Sequence, residues 1–169
     1  MGRMRAAPTS AVLALGACMG CAVPVPAGLG AAPVSGAPCA TPASVQEIVW
    51  EQDDTGRPQG LRLRFGRDGQ ALLTATGKAR LRTADVQQPA PLAAADFERL
   101  AAELAAAGLF GLAPRHEEPG LADGRWTQWR ATCTDGTHEV FRREDAGPPA
   151  LDALDAVVGR WRSRLWLGR

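Results

Sequence analysis

The sequence predicts an α+β fold: an antiparallel sheet of about four strands plus a hairpin, with two helices packed on one face. Three stretches carry that expectation. Residues 61–65, Leu-Arg-Leu-Arg-Phe, alternate apolar and charged side chains, the period of a strand with one buried face. Residues 96–108 place Phe97, Leu100, Ala101 and Leu104 at i, i+3, i+4 and i+7, one apolar stripe on a helix built mostly of Ala, Glu and Leu. Asp135-Gly136 sits between two strand-like runs, a strong short-range hairpin signal, and a second apolar helical stripe follows it. Short connections between strands favour antiparallel pairing, and the exposed apolar sheet face needs the helices as a cover.

Taken in order, residues 45–52 read as a first strand with Ile48 and Trp50 on one face. Residues 53–60, DDTGRPQG, are turn-forming. After the strand 61–65, Gly66-Arg67-Asp68-Gly69 closes a hairpin in one of two ways. With Asp68-Gly69 as a two-residue loop, Phe65 pairs with Leu72 and Leu63 with Thr74; with Gly69 in a bulge, Ala71 and Leu73 face the core. Residues 78–83 alternate again, with Ala79 and Leu81 inward and Lys78, Arg80 and Arg82 outward, which predicts a fourth strand. Residues 87–91 lead into the helix, which has Pro91 upstream, Asp96 in its first turn and Gly108 at its stop. A loop over 112–124 precedes strands 126–134 and 137–143. A two-residue Asp135-Gly136 turn would pair Cys133 with His138 and Ala131 with Val140. Gly147-Pro148-Pro149 opens the last helix, with Leu151, Leu154, Val158, Trp161 and Leu165 as its stripe.

At 169 residues and a net charge of +1, the chain has room for one domain with a real core and no bulk charge that would attract nucleic acid. Beyond Ser44 the only serine is Ser163, so a Gly-x-Ser-x-Gly nucleophile elbow is excluded from the domain. No metal-ligand spacing is present, and no cofactor is expected.

The first 17 residues read as a secretion signal: Arg3 and Arg5 make a basic start, followed by an apolar run too short to span a bilayer. The run ends in Leu15-Gly16-Ala17-Cys18, which resembles the lipobox of bacterial lipoproteins. The resemblance implies cleavage before Cys18 and acylation of Cys18, with the membrane as a partner through the lipid. Met19, where inner-membrane lipoproteins tend to carry Asp, then implies the periplasmic side of the outer membrane. Residues 18–44 hold five prolines among Ala and Gly and read as a semi-rigid tether reaching roughly 70 Å, with the single domain at 45–169. A strand pair around a Gly-x-x-Gly turn, a "DFxxLxxxLxxxGLFxL" helix, a Thr-Asp-Gly hairpin and a closing helix together resemble an uncharacterised α+β domain of bacterial envelope lipoproteins. That resemblance brings no catalytic residues with it.

Several residue groups are candidates for chemistry or recognition. Arg62, Arg64, Arg80 and Arg82, with Trp126 nearby, would form a basic outer sheet face able to dock an envelope protein or an anionic glycan. Cys133 and His138 are cross-strand neighbours on paper, and an oxidising envelope offers Cys133 a disulfide with Cys39 instead. His116, Glu117, Glu118 and Asp123 gather on the loop 116–123. The expected function is a lipid-anchored, non-catalytic binding or accessory module. The alternative is a small enzyme or metal-dependent module using the loop 116–123 with His138 and Cys133.

Overall fold

A computed structural model describes residues 39, 41–121 and 123–168. The lipobox and most of the tether lie outside the described residues. In chain order the elements are β1 (Val45–Asp54), β2 (Gly60–Gly66), β3 (Gln70–Thr76), β4 (Val86–Pro91), α1 (Ala94–Ala106), β5 (Arg115–His116), β6 (Arg125–Cys133), β7 (Gly136–Arg143) and α2 (Ala150–Trp166). They form one seven-stranded sheet in the order β4-β3-β2-β1-β6-β7-β5.

This corrects the expectation of about four antiparallel strands plus a hairpin. The sheet is mixed, because the chain leaves α1 beyond β7 and lays the two-residue β5 parallel to it. The β6–β7 hairpin is no appendage: β6 pairs with β1 from Val45↔Cys133 to Asp54↔Arg125, so β1 and β6 run side by side through the middle of the sheet. A bulge that skips Gln46 turns both Val45 and Ile48 inward.

The predicted strand over 78–83 is absent. Ala79–Leu81 form a single 3-10 turn, and Arg82 ends it in the left-handed region at φ 54°. Alternation there mimics a strand. Instead, Lys78 folds inward, its ammonium 2.8 Å from the Asp53 carboxylate. The strand that pairs with β3 is β4, which begins at Val86. The amide of Leu92 donates to Gly69 at 2.9 Å, so by strand alternation Pro89 and Pro91 turn their nitrogens away from β3. Two prolines thereby remove free donors from one sheet edge, and the brevity of β5 blunts the other.

Both hairpin registers follow from local turn geometry. In β2–β3, Phe65 pairs with Ala71 and Leu63 with Leu73, the bulged alternative, with Gly69 at φ 86°. In β6–β7 the loop is Thr134-Asp135, Cys133 pairs with Gly136, and Ala131 pairs with His138. Cys133 and His138 are therefore not directly opposite, contrary to the register expected from an Asp135-Gly136 loop.

The core lies between the two helices and one sheet face. From α1 it takes Phe97, Leu100, Ala101 and Leu104; from α2, Leu151, Leu154, Val157, Val158 and Trp161. These meet Ile48, Trp50, Leu63, Phe65, Trp129, Ala131 and Val140 of the sheet. Helix α1 stops at Gly108, left-handed at φ 95°, and the fully buried Leu109 follows. The helices are also linked by polar contacts. Glu103 accepts from the Trp161 indole at 3.2 Å, and Arg164 pairs with Asp96 at 3.1 Å. Trp166 reaches across the sheet to pack on Phe65 and donates to the Gln88 carbonyl at 2.9 Å.

Candidate functional site

The opposite sheet face is left uncovered by helices, and it is not a basic surface. Arg62 pairs with Glu51 at 3.1 Å, and Arg64 with Glu47 at 2.5 Å and Asp68 at 2.9 Å. Hydrogen bonds from Arg64 and from the Gln70 amide hold the Asp68 carboxyl below the usual carboxylate range. On the neighbouring strands Arg130 pairs with Glu139 at 2.5 Å. The face is a lattice of alternating charge whose aliphatic stems bury Val49. Arg80 and Arg82 do not belong to it, because they sit in the β3–β4 loop, where Arg80 donates to the Thr55 carbonyl. The structure thus brings together two of the four arginines and compensates both with carboxylates.

Trp126 lies on this outer face, stacked on Phe141 with ring centroids 6.2 Å apart. Arg115 and Arg143 lie over the Phe141 ring at 4.9 and 5.5 Å, and both pair with Glu117. A hydrogen bond from Arg115 holds the Glu117 carboxyl below its ordinary value. Glu117 is therefore committed to the sheet edge. Glu118 borders a separate depression with Arg143, Glu144 and Asp145.

The enzyme constellation does not assemble. Cys133 is bonded to Cys39, 94 residues away in sequence. The Nε2 of His138 lies 2.9 Å from the Leu109 carbonyl, so that ring serves to tie β7 to the turn after α1. His116 sits on β5, paired in register with Arg142, with Glu117 turned to the outer face. Among the described residues, Cys39, Cys133 and Asp135 place potential metal-ligand atoms within 4.8 Å of one another. With both sulfurs spent in the disulfide, no thiolate is left there to bind an ion.

Sequence reasoning missed a buried charge. Arg142 alternates with Val140 and so points to the core side, where its side chain is only 6% exposed. Its guanidinium donates to Asp152 at 2.7 Å, to Asp145 at 3.2 Å and to the Glu144 carbonyl at 2.9 Å. Asp155 lies 3.7 Å away and accepts from the Trp50 indole at 2.9 Å. The signal was available: Asp152 and Asp155, three apart on the first turns of α2, share a face that meets the only arginine on an inward β7 position.

Burial between α2 and the sheet pushes the Asp155 carboxyl above its ordinary value, against the pull of the Trp50 hydrogen bond and the Arg142 and Arg125 charges. A carboxyl raised in the fold is easier to protonate there than in the unfolded chain, so stability is given up as pH rises through the folded value. Asp155→Asn keeps an acceptor for Trp50 and removes the buried charge. We expect its melting temperature to equal or exceed that of the parent at pH 7, with the difference shrinking on acidification toward pH 4. A gap that widens in favour of the variant at low pH would show the opposite linkage.

Next to this network, at the end of the sheet, is a small polar cleft. Gln52, Gln59, Leu61, Arg57, Arg125 and Arg162 line it together with Asp53 and Asp54, around a volume of about 70 Å³. Arg162 lies two helical turns beyond Asp155 on the same flank of α2. One wall is the β1–β2 turn, braced from behind by the β3–β4 loop. The Lys78 ammonium reaches the Asp54 carbonyl at 2.5 Å, Arg80 donates to Thr55, and the Thr83 hydroxyl lies 3.5 Å from the Pro58 carbonyl. No protein-family model matches this chain, and no curated protein matches it.

Proposed function

We propose that the protein is a lipid-anchored, non-catalytic binding or accessory module of the cell envelope, acting on the periplasmic side of the outer membrane. The observation that carries this reading is the Cys39–Cys133 disulfide. A structural disulfide suits an oxidising compartment outside the cytosol, which agrees with the signal-like N-terminus and the Leu15-Gly16-Ala17-Cys18 lipobox. The same bond consumes the cysteine that a thiol enzyme would need. In this reading the acylated Cys18 holds the protein to the membrane; no helix among the described residues is long and apolar enough to cross one. The partner would be an envelope protein or an anionic glycan, not nucleic acid.

The test is Cys18→Ala, with palmitate labelling and membrane fractionation of the expressed protein. The parent should label and sediment with membranes, and the variant should lose both properties. Labelling and membrane partition that survive the substitution would remove the lipid-anchor reading.

A further inference from the structure

We propose that the cleft between α2 and the β1–β2 turn is a binding site for a carboxylate group. Its residues divide into those already committed and those that are not. Arg160 and Arg164, on either side of Arg162 in sequence, pair with Glu103 and Asp96. Arg162 points into the cleft and, among the described residues, makes neither an ion pair nor a side-chain hydrogen bond. The amides of Gln52 and Gln59 beside it are likewise without side-chain partners there. A half-buried guanidinium and two neutral amides thus converge with their donors unused, the complement of an oxyanion.

The charge balance selects the class of anion. Three guanidiniums, those of Arg57, Arg125 and Arg162, face the carboxylates of Asp53 and Asp54. Asp53 is neutralised by Lys78 at 2.8 Å, while Asp54 stands 3.8 Å from Arg57 and accepts from the Gly56 amide. Arg125 is shared with Asp145. The remaining positive charge suits one negative charge, and a dianionic phosphate would be set against the Asp54 carboxylate. The volume, room for about two water molecules, accepts a carboxylate and leaves the rest of the ligand outside. Planar bidentate recognition is what an arginine fork supplies best. The wall is preorganised, because the β3–β4 loop holds the β1–β2 turn through Lys78, Arg80 and Thr83, so little ordering is left to do on binding.

A carboxylate of this size is carried both by a peptide-type acid and by a sugar acid, and the experiment separates the two. The proposal rests on the binding-module reading but is tested apart from it, since labelling at Cys18 and titration at Arg162 fail independently. The full chain, labelled with nitrogen-15 and held in detergent, is titrated with N-acetylalanine and with glucuronate, against N-acetylalaninamide and glucose as neutral counterparts and inorganic phosphate as the competing anion. We expect a saturable shift of the Arg162 Nε–H signal and of the Gln52 and Gln59 amides with at least one of the two acids, and the acid that saturates first identifies the source. Arg162→Gln, with an otherwise unchanged amide spectrum, should bind that acid about tenfold or more weakly. The absence of saturation with both acids, equal shifts with the neutral counterparts, phosphate binding as tightly as the acids, or undiminished binding by Arg162→Gln would each overturn the assignment.

Discussion

Replacing Cys39 and Cys133 together by serine should lower unfolding free energy by about 4–5 kcal/mol, the value the chain-entropy account gives for a closed loop of this length. The two cysteines are 94 residues apart, so the bond closes the stretch that becomes β1 through β6 into one loop of the unfolded chain, with β7 and α2 outside it. Its folded-state setting adds to the effect. Cys39 is fully buried, its amide donates to the Asp135 side chain at 3.1 Å, and its backbone is left-handed at φ 68°. The bond holds that otherwise unfavourable conformation in place. Denaturant unfolding of the double variant, beside the parent with and without reductant, measures the difference. Midpoints that coincide in all three would show that the bond contributes nothing.

Leu104→Ala should cost about 2–5 kcal/mol, the range for truncating a fully buried leucine in a core that relaxes only in part. Leu104 has no exposure and belongs to the stripe that seals α1 onto the sheet. The matched control is Arg99→Ala, an exposed position on the same helix, expected to fall within about 0.5 kcal/mol of the parent. Glu103 is unsuitable as a control, although the helical period puts it beside the polar face, because it accepts the Trp161 indole hydrogen bond. Equal denaturant midpoints for Leu104→Ala and Arg99→Ala would show that the stripe does not seal the core.

What could be read from the sequence was set by how many residues share a period. The stripe Phe97, Leu100, Ala101, Leu104 spans two turns of helix, and all four side chains are buried. The alternation of Leu61, Leu63 and Phe65 survives for the same reason, since three side chains must face one way. By contrast, β4 is Val-Gln-Gln-Pro-Ala-Pro, a sequence with almost no strand propensity of its own, and it is a strand because β3 supplies the pairing. The stretch 78–83 has the alternation but not the conformation: Lys78 turns in to Asp53 and the Asp54 carbonyl, and Ala79–Leu81 close a 3-10 turn that left-handed Arg82 ends. The hairpin register turned on whether Gly136 is a loop residue or the first residue of β7, a choice that a Thr-Asp-Gly triplet alone leaves open.

The candidate site was less legible than the fold for a related reason. The arginines singled out by alternation were the ones most easily compensated, since an exposed sheet face places carboxylates on the adjoining strands. The cleft draws its residues from β1, the following turn, β2, β6 and α2, segments spread over more than a hundred residues of chain. No local spacing announces such a site; only the sheet order, with β6 set against β1, brings Arg125 beside Asp54.

The position of the disulfide also decides how the domain would meet a mechanical load. Cys39 precedes β1, yet it is bonded to the end of β6, with the two Cα atoms 5.4 Å apart. Tension on the chain before Cys39 passes through a covalent bond into one of the two middle strands. Without that bond, the same tension would act on the free end of β1 and part its ladders one hydrogen-bonded pair at a time. With the bond intact this peeling route is closed, and a pull on the N-terminal side is borne by the sheet as a block.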